Sequence, residues 1–251
     1  MSRKIFIGDV HGVKDTLVAL VDKLALRKDD EIIFTGDLLD KGPDGAGVVR
    51  FVRELALNHQ IVLVKGNHES RNERYRTNIV KNPEAAASMN NPEELAANLA
   101  ALSPEDIAFL DAAPLFHRTG KYLVVHGGIP GSMTFFPHSP LYFAEKTKKE
   151  KKAFEIILLT RYVDKASGKM LPLGSEKPGD PFWAEVYDGR FGHVIFGHQP
   201  FDAPASFPHA TGIDTGAVFG GTLTAMVVEE GVESFLSVPG IRYAKKYGED
   251  D

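Results

Sequence analysis

No cysteine occurs in the 251 residues, which removes disulfides, thiolate metal sites and a cysteine nucleophile together. A thiol-based phosphatase is thereby excluded. Long apolar runs are missing too, and no stretch approaches the roughly 20 apolar residues of a membrane span. The opening Met1-Ser2-Arg3-Lys4 runs straight into a short strand, with no room for a signal-peptide core. A soluble, cytoplasmic protein with no membrane partner is expected. Nor is positive charge in excess: the formal net charge is −5, so an anionic substrate must be held by local charges, and bound cations would serve. Internal repeats and low-complexity linkers are absent, and 43% hydrophobic content over this length suits one domain spanning 1–251.

Short β-rich apolar runs ending in Gly, Asp, Asn or His recur at Lys4–Gly8, Glu31–Gly36, Gln60–Gly66, Tyr122–Gly127 and Val194–Gly197. Between the first three, Val13–Leu26 and Ala46–Ala56 have helical spacing, with Leu17, Leu20, Val21 and Leu24 on one stripe. The resulting β-α-β-α-β pattern implies an α/β fold with helices on both faces of a sheet. From Arg71 to Pro114 the chain turns helical, with Asn91-Pro92 and Ser103-Pro104 as helix starts, and looks like an inserted cap. A lysine-rich helix is expected over Phe143–Leu159, a late hairpin over Thr222–Val228 and Val232–Val238, and frayed residues from Lys245 to Asp251.

Ligands gather at the carboxyl ends of strands in open α/β sheets, which is where the polar tips of this chain fall. Gly8-Asp9-Val10-His11-Gly12 alone is equally well read as a bland turn. Gly36-Asp37-Leu38-Leu39-Asp40-Lys41-Gly42, Gly66-Asn67-His68-Glu69, His126-Gly127-Gly128 and Gly197-His198 repeat the same donor types, and coincidence is a poor account of five such tips. Their oxygen and imidazole donors suit Mn, Fe, Zn, Ni or Co.

The ordered set GDVHG, GDLLDKG, GNHE, HGG and GH resembles the calcineurin-like metallophosphoesterases of the phosphoprotein-phosphatase superfamily, over residues 8–198. That resemblance implies a four-layer fold, a β-sandwich of central sheets flanked by α-helices, with the helical cap at about 72–114. It further implies two divalent ions, manganese first among them, held by Asp9, His11, Asp37, Asn67, His126 and His198, with Asp37 bridging. The nucleophile would be a water activated by both metals, and His68, oriented by Asp40, would protonate the leaving oxygen. Substrate phosphate would meet Asn67, Lys41, which stands where the family usually has arginine, and Arg161. Arg71 would brace the loop by ion pairing.

The run Gly212–Ala225 is similar to the bacterial diadenosine-tetraphosphatase-like branch and to related nucleic-acid-end phosphatases. Gly66-Asn67-His68-Glu69-Ser70-Arg71 resembles eukaryotic-type protein serine/threonine phosphatases instead. The expected activity is therefore hydrolysis of phosphate esters or anhydrides, dinucleoside polyphosphates first, with phosphoprotein or phosphomonoester second. A silent phosphate-binding module is the alternative of another class. Nucleic acid enters only as a phosphorylated end, and oligomeric state is left open. The lysines of Lys146–Lys152 read as a solvated face, and His59, His117, His138, His193 and His209 as surface or packing residues. Ser167-Gly168-Lys169 fails as a P-loop, because Val163 replaces its leading glycine and Met170 its Ser or Thr.

Overall fold

The computed structural model describes residues 3–245; Met1-Ser2 and most of the tail expected to fray lie outside the described residues. Strands form at Lys4–Ile7 (β1), Glu31–Phe34 (β2), Gln60–Leu63 (β3), Phe116–Thr119 (β4), Tyr122–Val125 (β5), His193–Phe196 (β6), Ala205–Phe207 (β7), Ala210–Gly212 (β8), Thr222–Glu229 (β9) and Val232–Pro239 (β10). Helices are Lys14–Leu24 (α1), Gly45–Leu55 (α2), Asn67–Lys81 (α3), Pro83–Ala87 (α4), Pro92–Ala101 (α5), Pro104–Asp111 (α6), Lys148–Phe154 (α7) and Trp183–Val186 (α8). Among the described residues, no helix is long and apolar enough to cross a membrane.

These strands build two five-stranded mixed sheets, ordered β10-β9-β1-β2-β3 and β4-β5-β6-β8-β7. Strands β1, β2 and β3 run parallel, as do β5, β6 and β8, so the carboxyl ends in each sheet point one way. Side-chain alternation explains the layers. Ile5, Ile7, Ile32 and Phe34 pack with Leu17 and Val49 of α1 and α2, while Phe6 and Ile33 between them face Tyr122, Val124 and Ile195 of the other sheet. The outer face of that second sheet is covered by Phe116, Phe136, Ile157 and Trp183. Helix, sheet, sheet, helix is the α/β four-layer architecture, and a second sheet covers the face for which sequence periodicity alone had assigned helices.

Two segments depart from the sequence expectation. The lysine-rich stretch is not one helix: Thr147 caps α7 by accepting from Glu150 N, and beyond Phe154 the chain tightens into a 3₁₀ turn over Glu155–Leu158. There the amides of Gly127 and Gly128 both donate to Ile157 O at 2.9 Å, taking a carbonyl that a continuing helix would need. Helix α3, in turn, starts at Asn67 rather than near Arg71, because the Glu69 carboxylate reaches back to accept from Gly66 N at 2.9 Å.

One buried carboxylate fastens the two sheets at their edge. Glu31 on β2 accepts from Lys4 Nζ (2.8 Å), Thr119 Oγ1 (2.7 Å) and His117 Nε2 (3.1 Å), the last two from β4. Burial pushes its carboxyl up, but the bonds from His117, Lys4 and Thr119 outweigh that and bring it down to about 2. A depressed folded pKa contributes stability that is complete above the unfolded value and is lost as pH falls toward about 2. Glu31→Gln should therefore lower unfolding free energy in urea by about 1–3 kcal/mol at pH 7. The gap between variant and wild type should close as the pH drops through 4 toward about 2.

Candidate active site

The loops that leave the parallel strands are tied to one another by backbone. Val10 N and His11 N donate to Asp37 O at 3.1 and 2.9 Å, Gly12 N donates to Leu38 O, and Gly197 N donates to His126 O at 2.9 Å. Five of the eight described non-glycine residues with positive φ are His11, Asp37, Asp40, Lys41 and His198, all in these loops. Left-handed backbone costs an L residue free energy, so this concentration marks where the chain is forced into shape. Gly66 is required for a related reason: a Cβ there would overlap Asp37 Oδ1 and crowd Glu69 Oε2.

At the centre lies Asp37, 1% exposed. Its Oδ1 accepts from His68 N at 2.9 Å, and Oδ2 stands 3.3 Å from His126 Nε2, 3.5 Å from His11 Nε2 and 3.9 Å from His68 Nε2. Burial pushes this carboxyl up, yet His126 and His68 pull it well below the usual range. Donor atoms of His11, Asp37 and His68 lie within 4.8 Å of one another, and so do those of Asp37, His126 and His198. Two candidate metal pockets thus share one carboxylate.

The imidazoles are turned for coordination. His11 and His126 each donate Nδ1–H to a backbone carbonyl at 2.9 Å, of Leu39 and Thr35 respectively, which aims Nε2 at Asp37. Burial lowers the His126 pKa, but Asp37 and Asp9 raise it further, to about 9, so this pocket calls for a positive charge. His198 differs: burial, then Arg161 and His126, push its pKa well down, and its buried Nε2 has no hydrogen-bond partner. A neutral imidazole with an unused nitrogen beside carboxylates fits a divalent ion.

Asp9 holds the other side. Its Oδ2 accepts from His198 N at 2.9 Å and its Oδ1 from Thr35 Oγ1 at 3.2 Å; burial and then Asp214 push its carboxyl well up. Asn67 Oδ1 lies 2.8 Å from His126 Nε2, so the asparagine reaches the same pocket from the first turn of α3.

A family model for calcineurin-like phosphoesterases matches residues 2–202. The chain belongs to the calcineurin-like phosphoesterases. It is accordingly a hydrolase of phosphoester or phosphoanhydride bonds, from a family that uses divalent metals. A bis(5'-nucleosyl)-tetraphosphatase PrpE of Bacillus velezensis is 30% identical, the match covering 96% of this chain and 97% of that one. One from Halalkalibacterium halodurans is 32% identical over 93% and 92% of the two chains. The crystal structure of a putative diadenosine tetraphosphatase superposes with a TM-score of 0.69 at 25% identity, covering 96% of this chain and 94% of that chain.

His68, whose Nε2 belongs to the first of these candidate pockets in this phosphoesterase, donates Nδ1–H to Asp40 Oδ2 at 2.5 Å, and its ring stands edge-on to His11 with centroids 4.7 Å apart. Asp40 is saturated: Oδ1 accepts from Asn72 (3.0 Å) and from Asn98 of α5, and Oδ2 also accepts from Arg71 Nη1 at 3.2 Å. Arg71 further pairs with Glu94 at 3.4 Å and donates to Asn90 O at 2.6 Å, which is a loop brace. Lys41 Nζ donates to His11 Nε2 at 2.9 Å, within the site. Arg161 donates to His198 O at 3.0 Å and is lowered by burial, with Asp37, Asp214 and Asp9 acting the other way. Every predicted side chain reaches this one region.

Several participants went unassigned in the sequence. Asp214, from the glycine-rich run after β8, is a further buried carboxylate, raised by burial and held by Gly216 N at 3.0 Å. Its signal was the strand-end run Gly212-Ile213-Asp214, in which one apolar residue separates the carboxylate from the glycine that it follows directly at the Gly-Asp tips. Asn72, Glu94 and Asn98 left no such trace, since helical polar residues look like solvent-facing ones. Glu69 belongs here too, accepting from Asp37 N (2.8 Å), Leu38 N (2.8 Å) and Gly66 N (2.9 Å). Glu69→Gln turns an amide donor toward amide donors and should cost about 1–3 kcal/mol of stability. Because it loosens Asp37, metal retained after gel filtration, measured by elemental analysis, should fall in parallel.

Proposed function

We propose that this phosphoesterase is a single domain with a helical cap at about 72–114 that hydrolyses dinucleoside polyphosphates, diadenosine tetraphosphate first among them, in the cytoplasm. Two pockets sharing Asp37, in a chain about 30% identical to bis(5'-nucleosyl)-tetraphosphatases over most of its length, carry this reading. Asp9 and His11 would hold one divalent ion with Asp37, and Asn67, His126 and His198 would hold the other with it; manganese suits these oxygen and imidazole donors. Held there, such ions would polarise a phosphoryl group and make water nucleophilic at neutral pH.

The remaining residues bind, orient and move a proton. His68, its Nδ1 anchored on Asp40, presents Nε2 to the leaving oxygen as general acid, and the four donors around Asp40 keep that carboxylate from turning away. Lys41 supplies positive charge beside His11. Arg161, fixed through the His198 carbonyl and surrounded by the field of Asp37, Asp214 and Asp9, supplies more on the opposite side, and Asn67 offers its amide to a phosphate oxygen.

Protein serine/threonine phosphatase or phosphomonoesterase activity is the second reading, favoured by Gly66-Asn67-His68-Glu69-Ser70-Arg71. Manganese-loaded enzyme given diadenosine tetraphosphate, p-nitrophenyl phosphate and a phosphopeptide should turn over the dinucleotide with the highest kcat/KM. Good phosphopeptide turnover without dinucleotide turnover would reverse the order. Chelation should abolish hydrolysis and manganese should restore it. His68→Asn should lower kcat about 10²- to 10⁴-fold while bound metal stays at the wild-type level; a variant that keeps wild-type kcat would remove His68 from proton transfer.

A further inference from the structure

Two cavities of about 500 and 560 Å³ open on either side of the arginines of α3, and Asn67, Arg71 and Arg74 line both. Their remaining walls differ in kind. The larger one is bounded by polar groups, Lys41, His68, Asn90 and Asn91 among them. The smaller one has an apolar wall of Ile156, Leu158 and Leu159, from the 3₁₀ turn that breaks the lysine-rich segment, with Lys152 at its rim.

We propose that the apolar-walled cavity seats one nucleoside of the substrate, and that Arg74 and Lys152 hold the phosphates leading to it. The inference rests on the dinucleoside polyphosphate reading and adds where the substrate lies. Four observations carry it. About 500 Å³ is within the range of small-ligand sites and suits a nucleoside. The cavity is continuous with the reaction centre through Asn67, whose Oδ1 is 2.8 Å from His126 Nε2. Its wall gives a base face apolar contact, and its carboxylate, Glu155, is an acceptor for an exocyclic amine.

The fourth observation concerns charge. Arg71 is committed to Asp40, Glu94 and Asn90, so its guanidinium is positioned by the protein itself. Arg74, one helical turn further along α3 and on the same face, is exposed, and the carboxylate that feels its charge is Glu155 of the same cavity. Lys152 is likewise exposed. Exposed cations lining a groove that reaches Asn67, with an apolar wall beyond them, match a polyphosphate ending in a nucleoside. A phosphomonoester with a small leaving group reaches neither.

The test compares manganese-loaded wild type with Arg74→Glu and Leu159→Glu. Arg74 is exposed and Leu159 is 49% exposed, so neither change endangers folding. For each enzyme, kcat/KM is measured for diadenosine tetraphosphate and for p-nitrophenyl phosphate. Each substitution should lower the ratio of the first to the second about tenfold, chiefly through the KM of the dinucleotide, as loss of a charge-assisted contact or of apolar cover predicts. A wild type that cleaves the dinucleotide, with variants whose ratio is unchanged, overturns the subsite and leaves the proposed function standing. A wild type that cleaves p-nitrophenyl phosphate but not the dinucleotide overturns both.

Discussion

A single carboxylate, Asp37, is what the rest of the site is built around. Its carbonyl receives amides from Val10 and His11, its amide reaches Glu69, and its side chain receives the amide of His68 and faces three imidazoles. The loops after β1, β2, β3 and β5 are thus registered against one residue. Burial alone would make an ionised carboxylate there untenable; the surrounding imidazoles reverse that and keep it charged. The side chains that fix the register of the loops are thus also the ones that set the charge they enclose.

Holding such a centre together costs backbone strain, roughly 1–3 kcal/mol for a residue in a sparsely populated conformation. His11, Asp37, Asp40, Lys41 and His198 all bear it. It persists because the sandwich below is rigid: Phe6, Ile33, Val124 and Ile195 are fully buried between the sheets and fix the strand ends from which the loops depart. It persists also because the polar groups are satisfied. Asp40 has four donors, two of them Asn72 of α3 and Asn98 of α5, so these helices are mechanically part of the site.

The parallel strands and their polar tips were legible because both are written locally. An apolar run ending in Gly, Asp, Asn or His needs no tertiary information, and it brings out the tips that carry Asp9, His11, Asp37, Asn67, His126 and His198. The late hairpin was equally plain, its turn at Glu230 and Gly231 being marked by the glycine. What escaped depends on distant partners. The second sheet is invisible to periodicity, since Phe6 between Ile5 and Ile7 reads the same whether it meets a helix or another strand. The break after Phe154 is imposed by amides of Gly127 and Gly128, some thirty residues upstream. Strands β4, β7 and β8 are too short and mixed to stand out, and Asn98 shows its purpose only beside Asp40.

Lys41 links the feature that departs from the family pattern to the feature that marks the branch. Its backbone is left-handed and its amide is held by Glu94 of α5 at 2.7 Å, while its ammonium stands over the Phe219 ring at 5.1 Å from the centroid. Phe219 belongs to the glycine-rich run Gly212–Ala225, which is similar to the diadenosine-tetraphosphatase-like branch. An arginine fork grips one phosphoryl group in one orientation; an ammonium is a point charge that accepts oxygens from any direction. A substrate with several similar phosphates in a chain needs its register set by length and by the groups at its ends rather than by a clamp at the centre. A lysine seated on an aromatic ring and tethered by its amide to Glu94 of α5 supplies charge without fixing such an orientation.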